Sequence, residues 1–159
     1  MIKLFNTTLF FLVFSYIGYG QQEFSTNLIE VDRNSQNPID WITYCDNEEM
    51  VIDYKFVQCD PSIGYDNESI LLKFKNKTTQ TIQISWNKNL YYDGVCKTCD
   101  YPDEYYYEIQ LQPFEEVEGN CSISSNNRLK IFSKFVDLNY TKGLKLTAFE
   151  LVKLNLIVN

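Results

Sequence analysis

The sequence predicts an all-β domain, an antiparallel β-sandwich of about six to eight strands. Three observations carry this expectation. At least five segments alternate apolar and polar residues with period two. Clusters of Asn, Gly, Pro and Asp separate them at short spacing, the punctuation of a sandwich or barrel. Tyr and Phe, twelve and eleven of them, favour strands and give a short chain enough apolar area to bury.

Residues 1–20 stand apart from that pattern. Lys3 precedes an apolar stretch from Leu9 to Ile17 with no acidic residue, and Gly18 and Gly20 then lead into Gln21 and Gln22. A charged start, a short apolar run and a small-x-small site are the marks of a signal peptide, here cleaved after Gly20. The run is well short of the roughly 20 residues that cross a bilayer. No Cys lies near the cleavage point to be acylated, the first being Cys45, and no later stretch is long and apolar enough to anchor the chain. The expected location is secreted or periplasmic, with no membrane span. Cleavage removes Lys3, leaving 13 basic residues against 21 acidic ones, a net charge of −8. Such a surface argues against nucleic acid and anionic membranes, which are recognised through Lys/Arg patches.

Residues 21–40 are polar and aperiodic, with Asn34, Ser35, Asn37 and Pro38 clustered. They are expected to form an extended lead-in or linker, with the sandwich spanning 41–159. Trp41–Tyr44 reads as a first short strand. Met50, Ile52, Tyr54 and Phe56 then share one face, followed by Ile70, Leu72 and Phe74, and by Ile82, Ile84 and Trp86. Tyr105, Tyr107, Ile109 and Leu111 form the next inward set, with Tyr106 outward, and Leu129, Ile131 and Phe135 another. Segment 104–112 is expected to bend at Pro113 and return as 115–120. The C-terminal segment alternates at Leu144, Leu146 and Ala148, breaks at Phe149–Leu151, and resumes at Val152, Leu154, Leu156 and Val158. A strand with a bulge near Phe149 is favoured over a helix at 148–154, because Ile157 and Val158 are β-branched and no cap precedes the segment.

The run ILLKFKNKTTQTIQISW (70–86), followed by LQPFEEVEG (111–119), resembles the strand pairing of bacterial immunoglobulin-like accessory domains. There, too, an apolar strand ends at an Asn and a polar turn, and a later strand bends at a Pro. The Gln pair after the signal, the residue composition and the single CxxC are similar to small exported proteins of Bacteroidota. The likeness covers about residues 50–159. It implies an immunoglobulin-like fold and an exported location, and brings no active site with it.

Five cysteines follow the cleavage point: Cys45, Cys59, Cys96, Cys99 and Cys121. In an oxidising compartment structural disulfides are the default, and five cannot all pair within one chain. Alternating strand directions bring Cys59, Cys96, Cys99 and Cys121 to one end and leave Cys45 at the other as the free thiol. Cys96–Cys99 closes the shortest loop, with Cys59–Cys121 as its complement; the crossed pairings through Cys96 or Cys99 stay open. Four clustered sulfurs would also suit zinc, but a strong zinc signature has two CxxC knuckles and only one is present. A redox CxxC sits at a helix N-terminus, whereas Cys96 and Cys99 fall in a loop beside Asp100, Asp103 and Glu104, which would raise a thiol pKa.

There is no histidine, which removes Ser-His-Asp and Cys-His systems and His-ligated catalytic zinc. The acidic groups Asp100/Asp103/Glu104 and Glu115/Glu116/Glu118 lack the spacing of a calcium loop. Four Asn-x-Ser/Thr triplets beyond the cleavage point, at Asn67, Asn76, Asn120 and Asn139, would take glycans in a eukaryote and are expected by chance at this composition. The sequence therefore points to no enzyme and no cofactor. The expectation is an exported binding or accessory module with a protein or glycan partner. The alternative is a small carbohydrate-binding module using exposed Tyr92, Tyr101 and Tyr106. A thiol or metal protein using Cys96 and Cys99 is the remote third reading.

Overall fold

The computed structural model describes residues 21–32, 39–60, 62, 66–122, 127–136 and 143–159. Residues 1–20, expected to be a signal peptide, Asn139 and the cluster at 34–38 lie outside them. The described residues form eleven strands: β1 (Gln21–Phe24), β2 (Ile29–Glu30), β3 (Ile42–Asp46), β4 (Met50–Cys59), β5 (Asn67–Asn76), β6 (Ile82–Tyr92), β7 (Val95–Cys96), β8 (Tyr106–Leu111), β9 (Glu116–Glu118), β10 (Lys130–Phe135) and β11 (Leu146–Val158). One 3-10 turn, Asn127–Leu129, precedes β10.

Every pairing is antiparallel, and the strands divide into two sheets. In the first, β11 lies beside β6; β1 and β2 share the outer edge of β11, while β8 and β7 share that of β6. In the second, β3, β4 and β5 lie side by side, and β10 and β9 share the far edge of β5. The core forms where the inward residues of the two sheets meet. Phe74 of β5 stacks on Trp86 of β6 with centroids 4.6 Å apart, and Tyr54 of β4 meets Phe149 of β11 edge-on at 5.4 Å. Period two is kept where the sequence shows it: Met50, Ile52, Tyr54 and Phe56 are buried, as are Ile70, Leu72, Phe74, Ile82, Ile84 and Trp86.

Four features differ from the sequence expectation. Residues 21–31 are no linker: Gln21–Phe24 pairs with Leu154–Ile157, Ile29–Glu30 pairs with Ala148–Phe149, and Val31 is buried. Backbone hydrogen bonds to a long neighbour hold such an edge strand, so it needs no apolar period of its own. The chain does not fold back on itself after Pro113 either. Phe114 takes φ 59° and the chain crosses to the other sheet, where β9 pairs with β5 instead of β8. The C-terminal segment is one strand from Leu146 to Val158, with no helix, but its irregularities flank Phe149. They fall between Leu146 and Ala148 and between Val152 and Asn155, where Lys153 has φ 51°. Each shifts the inward phase by one residue, which lets Leu146, Phe149, Leu151, Leu154 and Leu156 all face the core. In β10, Ser133 is buried and Phe135 only half-buried, so a polar residue holds the inward place between Ile131 and the strand end.

Asn76 explains the Asn-and-polar-turn element. It is fully buried, and its side-chain amide donates to the carbonyls of Gln80 (2.7 Å) and Gln112 (2.8 Å). Its side-chain oxygen accepts from the Thr78 amide (2.8 Å) and hydroxyl (2.9 Å). One side chain thus ties the β5–β6 crossing to the Pro113 corner, and Asn76 presents no accessible glycan acceptor.

Candidate functional site

Both disulfides lie at the end of the sandwich where β4 and β6 finish. Cys59 is bonded to Cys121 with Cα atoms 5.5 Å apart, joining the end of β4 to the segment after β9. Cys96 is bonded to Cys99. Cys45, on β3 opposite Ile52, is unbonded and half-buried; burial, and secondarily Asp46, push its thiol above the ordinary range. Four sulfurs in two S–S bonds leave no Cys₄ set for zinc, and among the described residues no group of three His, Cys, Asp or Glu side chains is placed to hold a metal.

The Cys96–Cys99 loop completes an edge that strands leave open. β6 turns into β7 through Asp93 and Gly94, whose φ values of 50° and 82° suit a tight hairpin. On this side of β6, β8 pairs only as far as Asn87 and β7 pairs only with Tyr91 and Tyr92. Loop 97–105 supplies the missing partners. The Thr98 hydroxyl donates to the Lys88 carbonyl (2.6 Å) and accepts from the Leu90 amide (2.9 Å). The Lys97 amide donates to the Leu90 carbonyl (2.9 Å), the Lys88 amide to the Tyr105 carbonyl (3.2 Å), and the Asn87 side chain to the Pro102 carbonyl. The disulfide closes the four-residue span Cys96–Cys99 around Thr98, so the CxxC has a structural task, and among the described residues no helix begins there to lower a thiol pKa.

That arrangement turns an unusual residue inward. Continuing the inward set Ile82, Ile84 and Trp86 by period two reaches Lys88, Leu90 and Tyr92. Lys88 is 2% exposed. Its Nζ lies 4.3 Å over the Tyr107 ring and donates to the Lys130 carbonyl at 3.1 Å, reaching from one sheet to the other. Desolvation lowers its pKa from 10.5 to about 7. Above it opens a cleft of about 280 Å³ between β6 and β10, lined by Lys88, Lys97, Lys130, Tyr92, Tyr105, Tyr107, Thr98 and neighbouring apolar side chains, with no acidic one among the described residues. A larger depression of about 750 Å³ beside β2 is lined by Leu28, Glu30, Val31, Asp32, Tyr91, Gly94, Thr147 and Ala148.

The three tyrosines singled out from sequence separate in space. Tyr101 and Tyr106 are 56% and 49% exposed, on loop 97–105 and on the outer side of β8. Tyr92 is no exposed rim residue: its hydroxyl donates to the Phe132 carbonyl at 2.7 Å, its ring stacks on Phe132, and burial raises its pKa. The inward phase of β6 carries it between the sheets. Tyr105 lies just outside β8 and is half-buried, as is Tyr107, because the cleft opens beside both. Lys88, the residue that most distinguishes the site, escaped the sequence reading; the signal was a lysine in phase with Trp86. The acidic groups behave as solvated surface, with Asp100, Asp103 and Glu104 exposed and Glu116 paired with Lys75 at 3.7 Å.

No family model, no curated protein and no solved structure matches the chain. Among the described residues no helix is long and apolar enough to cross a membrane.

Proposed function

We propose that the chain is an exported, non-enzymatic recognition module, secreted or periplasmic, that binds its ligand at the cysteine end of an immunoglobulin-like sandwich. The observation that carries this is the Tyr- and Lys-lined cleft between β6 and β10. Ligand clefts are concave, largely aromatic or apolar, and carry a few converging polar groups, and this one has that composition. Two disulfides support an oxidising compartment. The likeness to immunoglobulin-like domains is at the level of two antiparallel sheets. It does not extend to strand order, since β3, β4 and β5 are neighbours and β11 lies between β1 and β6, unlike the ABED and CFG sheets of immunoglobulin constant domains. The test is a thermal-shift screen of the full chain against small metabolites and glycans, followed by amide chemical-shift mapping. The expected ligand perturbs Leu90, Thr98 and Ile131 and is recovered chemically unchanged; its conversion would overturn the non-enzymatic reading.

Exposed Tyr101 and Tyr106 favour one second reading, a carbohydrate-binding module working from the outer surface. Glycan-array signal lost in Tyr101→Ala/Tyr106→Ala but kept in Lys88→Met would select it.

A further inference from the structure

We infer that the outer face of the first sheet, where β6 and β8 lie side by side, is a binding surface for a neutral oligosaccharide. The inference rests on the carbohydrate-binding reading and names both the face and the class of glycan.

The two sheets meet water differently. The outer face of the second carries cross-strand ion pairs, Asp53 with Lys73 at 3.2 Å and Lys75 with Glu116 at 3.7 Å. On the first, Ile82, Ile84 and Trp86 point inward, so Gln83, Ser85 and Asn87 point outward, opposite Gln110, Glu108 and Tyr106 of β8. Asn87 is buried there, holding the Pro102 carbonyl, and the other five form the surface. Glu108 is the single charge among them. Charged residues of both signs are the ordinary solvating choice, so solubility alone does not account for this row.

Its chemistry matches sugar hydroxyls. An amide or a hydroxyl both donates and accepts, as a sugar hydroxyl does, whereas Lys only donates and a carboxylate only accepts. Tyr106, 49% exposed, adds an aromatic ring for the C–H side of a pyranose. The Tyr106 hydroxyl and the Gln83 amide donate to one Glu108 oxygen, at 3.3 and 3.2 Å, which holds three of these groups in place before a ligand arrives. The second Glu108 oxygen and the exposed Gln110 amide take no part in those bonds.

Shape and charge narrow the ligand. A groove of about 300 Å³ is lined, among the described residues, by Gln83, Glu108, Ile109, Gln110 and Arg128, a volume within the range of ligand sites. Arg128 donates to the Glu108 carbonyl at 3.3 Å and closes one side of it. Asn155 of β11 continues the row from Ser85, and β1 lies beyond it. Four strands give a width of roughly 14 Å, room for several linked sugars. Glu108 and a net charge of −7 repel uronate, sulfate and phosphate groups, so the glycan is a neutral one.

The test titrates the isotope-labelled full chain with cellohexaose, maltohexaose, xylohexaose and mannohexaose, with hexagalacturonate as the anionic comparison. At least one neutral hexaose should shift the Ser85, Glu108 and Gln110 amides and the Gln83 side-chain amide at roughly 10 mM or below. Hexagalacturonate should bind at least about tenfold more weakly, and Glu108→Gln should narrow that gap. Tyr106→Ala should weaken the hexaose about tenfold, while Lys75→Ala on the opposite sheet leaves it unchanged. Any of four results overturns the inference: no shift on this face with any neutral hexaose, tighter hexagalacturonate, unchanged affinity in a folded Tyr106→Ala, or the same amides moving with protein concentration alone, which would assign the face to a second copy of the chain. If a hexaose shifts only Tyr101 and its loop, the carbohydrate-binding module stands and this face falls. If no glycan shifts any amide, both fall.

Discussion

The two halves of β6 face the same interior and are built to different rules. In the first half the inward residues are Ile82, Ile84 and Trp86, all fully buried, and β8 pairs the strand edge in register. In the second half they are Lys88, Leu90 and Tyr92, and a disulfide-closed loop stands in for the strand. One half is packed for stability: Trp86 lies between Phe74 and Tyr107, at 4.6 and 6.0 Å. The other accepts a desolvated amine and an open cleft, a local conflict with the rule for buried positions. Such conflicts concentrate at sites with work to do, because selection for binding tolerates what selection for stability would remove. The packed half has its own imperfection, since the buried Trp86 indole N–H has no hydrogen-bond partner among the described residues.

Four variants sharpen or break that contrast. Trp86→Ala empties the largest fully buried side chain and is expected to cost about 3–5 kcal/mol in denaturant unfolding. A loss under about 1 kcal/mol would mean the packed half is not the stabilising one. Lys88→Met is expected to act in the opposite direction, stabilising by about 1–4 kcal/mol at pH 6. The sign follows from the lowered pKa. Between about 7 and 10.5 the unfolded chain binds a proton that the folded chain has released, so wild-type stability rises with pH across that window. The gain from Lys88→Met is therefore greatest below pH 7 and shrinks toward pH 10; a gain that grows with pH contradicts the assignment.

Removing a disulfide separates the halves in another way. Chain entropy gives about 4 kcal/mol for Cys59–Cys121, which spans 62 residues, and about 2 kcal/mol for Cys96–Cys99, which spans 3. Cys96→Ser/Cys99→Ser should cost that smaller amount while speeding amide exchange at Leu90, whose N–H depends on Thr98. Equal exchange in the variant and the parent would show that Thr98 holds its place without the bridge. The smallest effect belongs to Tyr92→Phe, which deletes one inter-sheet hydrogen bond and should cost about 1 kcal/mol by thermal unfolding. An affinity change there without a stability change would return Tyr92 to the ligand-contact residues.

Much of this was legible before the fold was known. Period two identified the inward faces of β4, β5 and β6, because a residue's side of a strand is a local property. Strand direction, also local once turns are placed, grouped Cys59, Cys96, Cys99 and Cys121 and set Cys45 apart. The edge pieces were opaque. Gln21–Phe24 carries no apolar period, since backbone pairing to β11 holds it and Phe24 alone of its residues packs against the core. Lys88 was hidden for another reason: a lysine within an alternating strand reads as solvated, and its phase with Trp86 was the weaker clue.

The amino-acid pattern by itself determined that this chain forms strands, which side of each seeks the interior, and which cysteines share an end. Those properties depend on neighbours in sequence, and the alternation of side chains records them directly. Tertiary structure alone decided which strands pair, that the chain changes sheets after Pro113, and that Lys88 reaches the Lys130 carbonyl beneath an open cleft. Those depend on groups 42 residues apart in the case of Lys88, where closing the loop and packing two sheets fix a geometry that no local window contains.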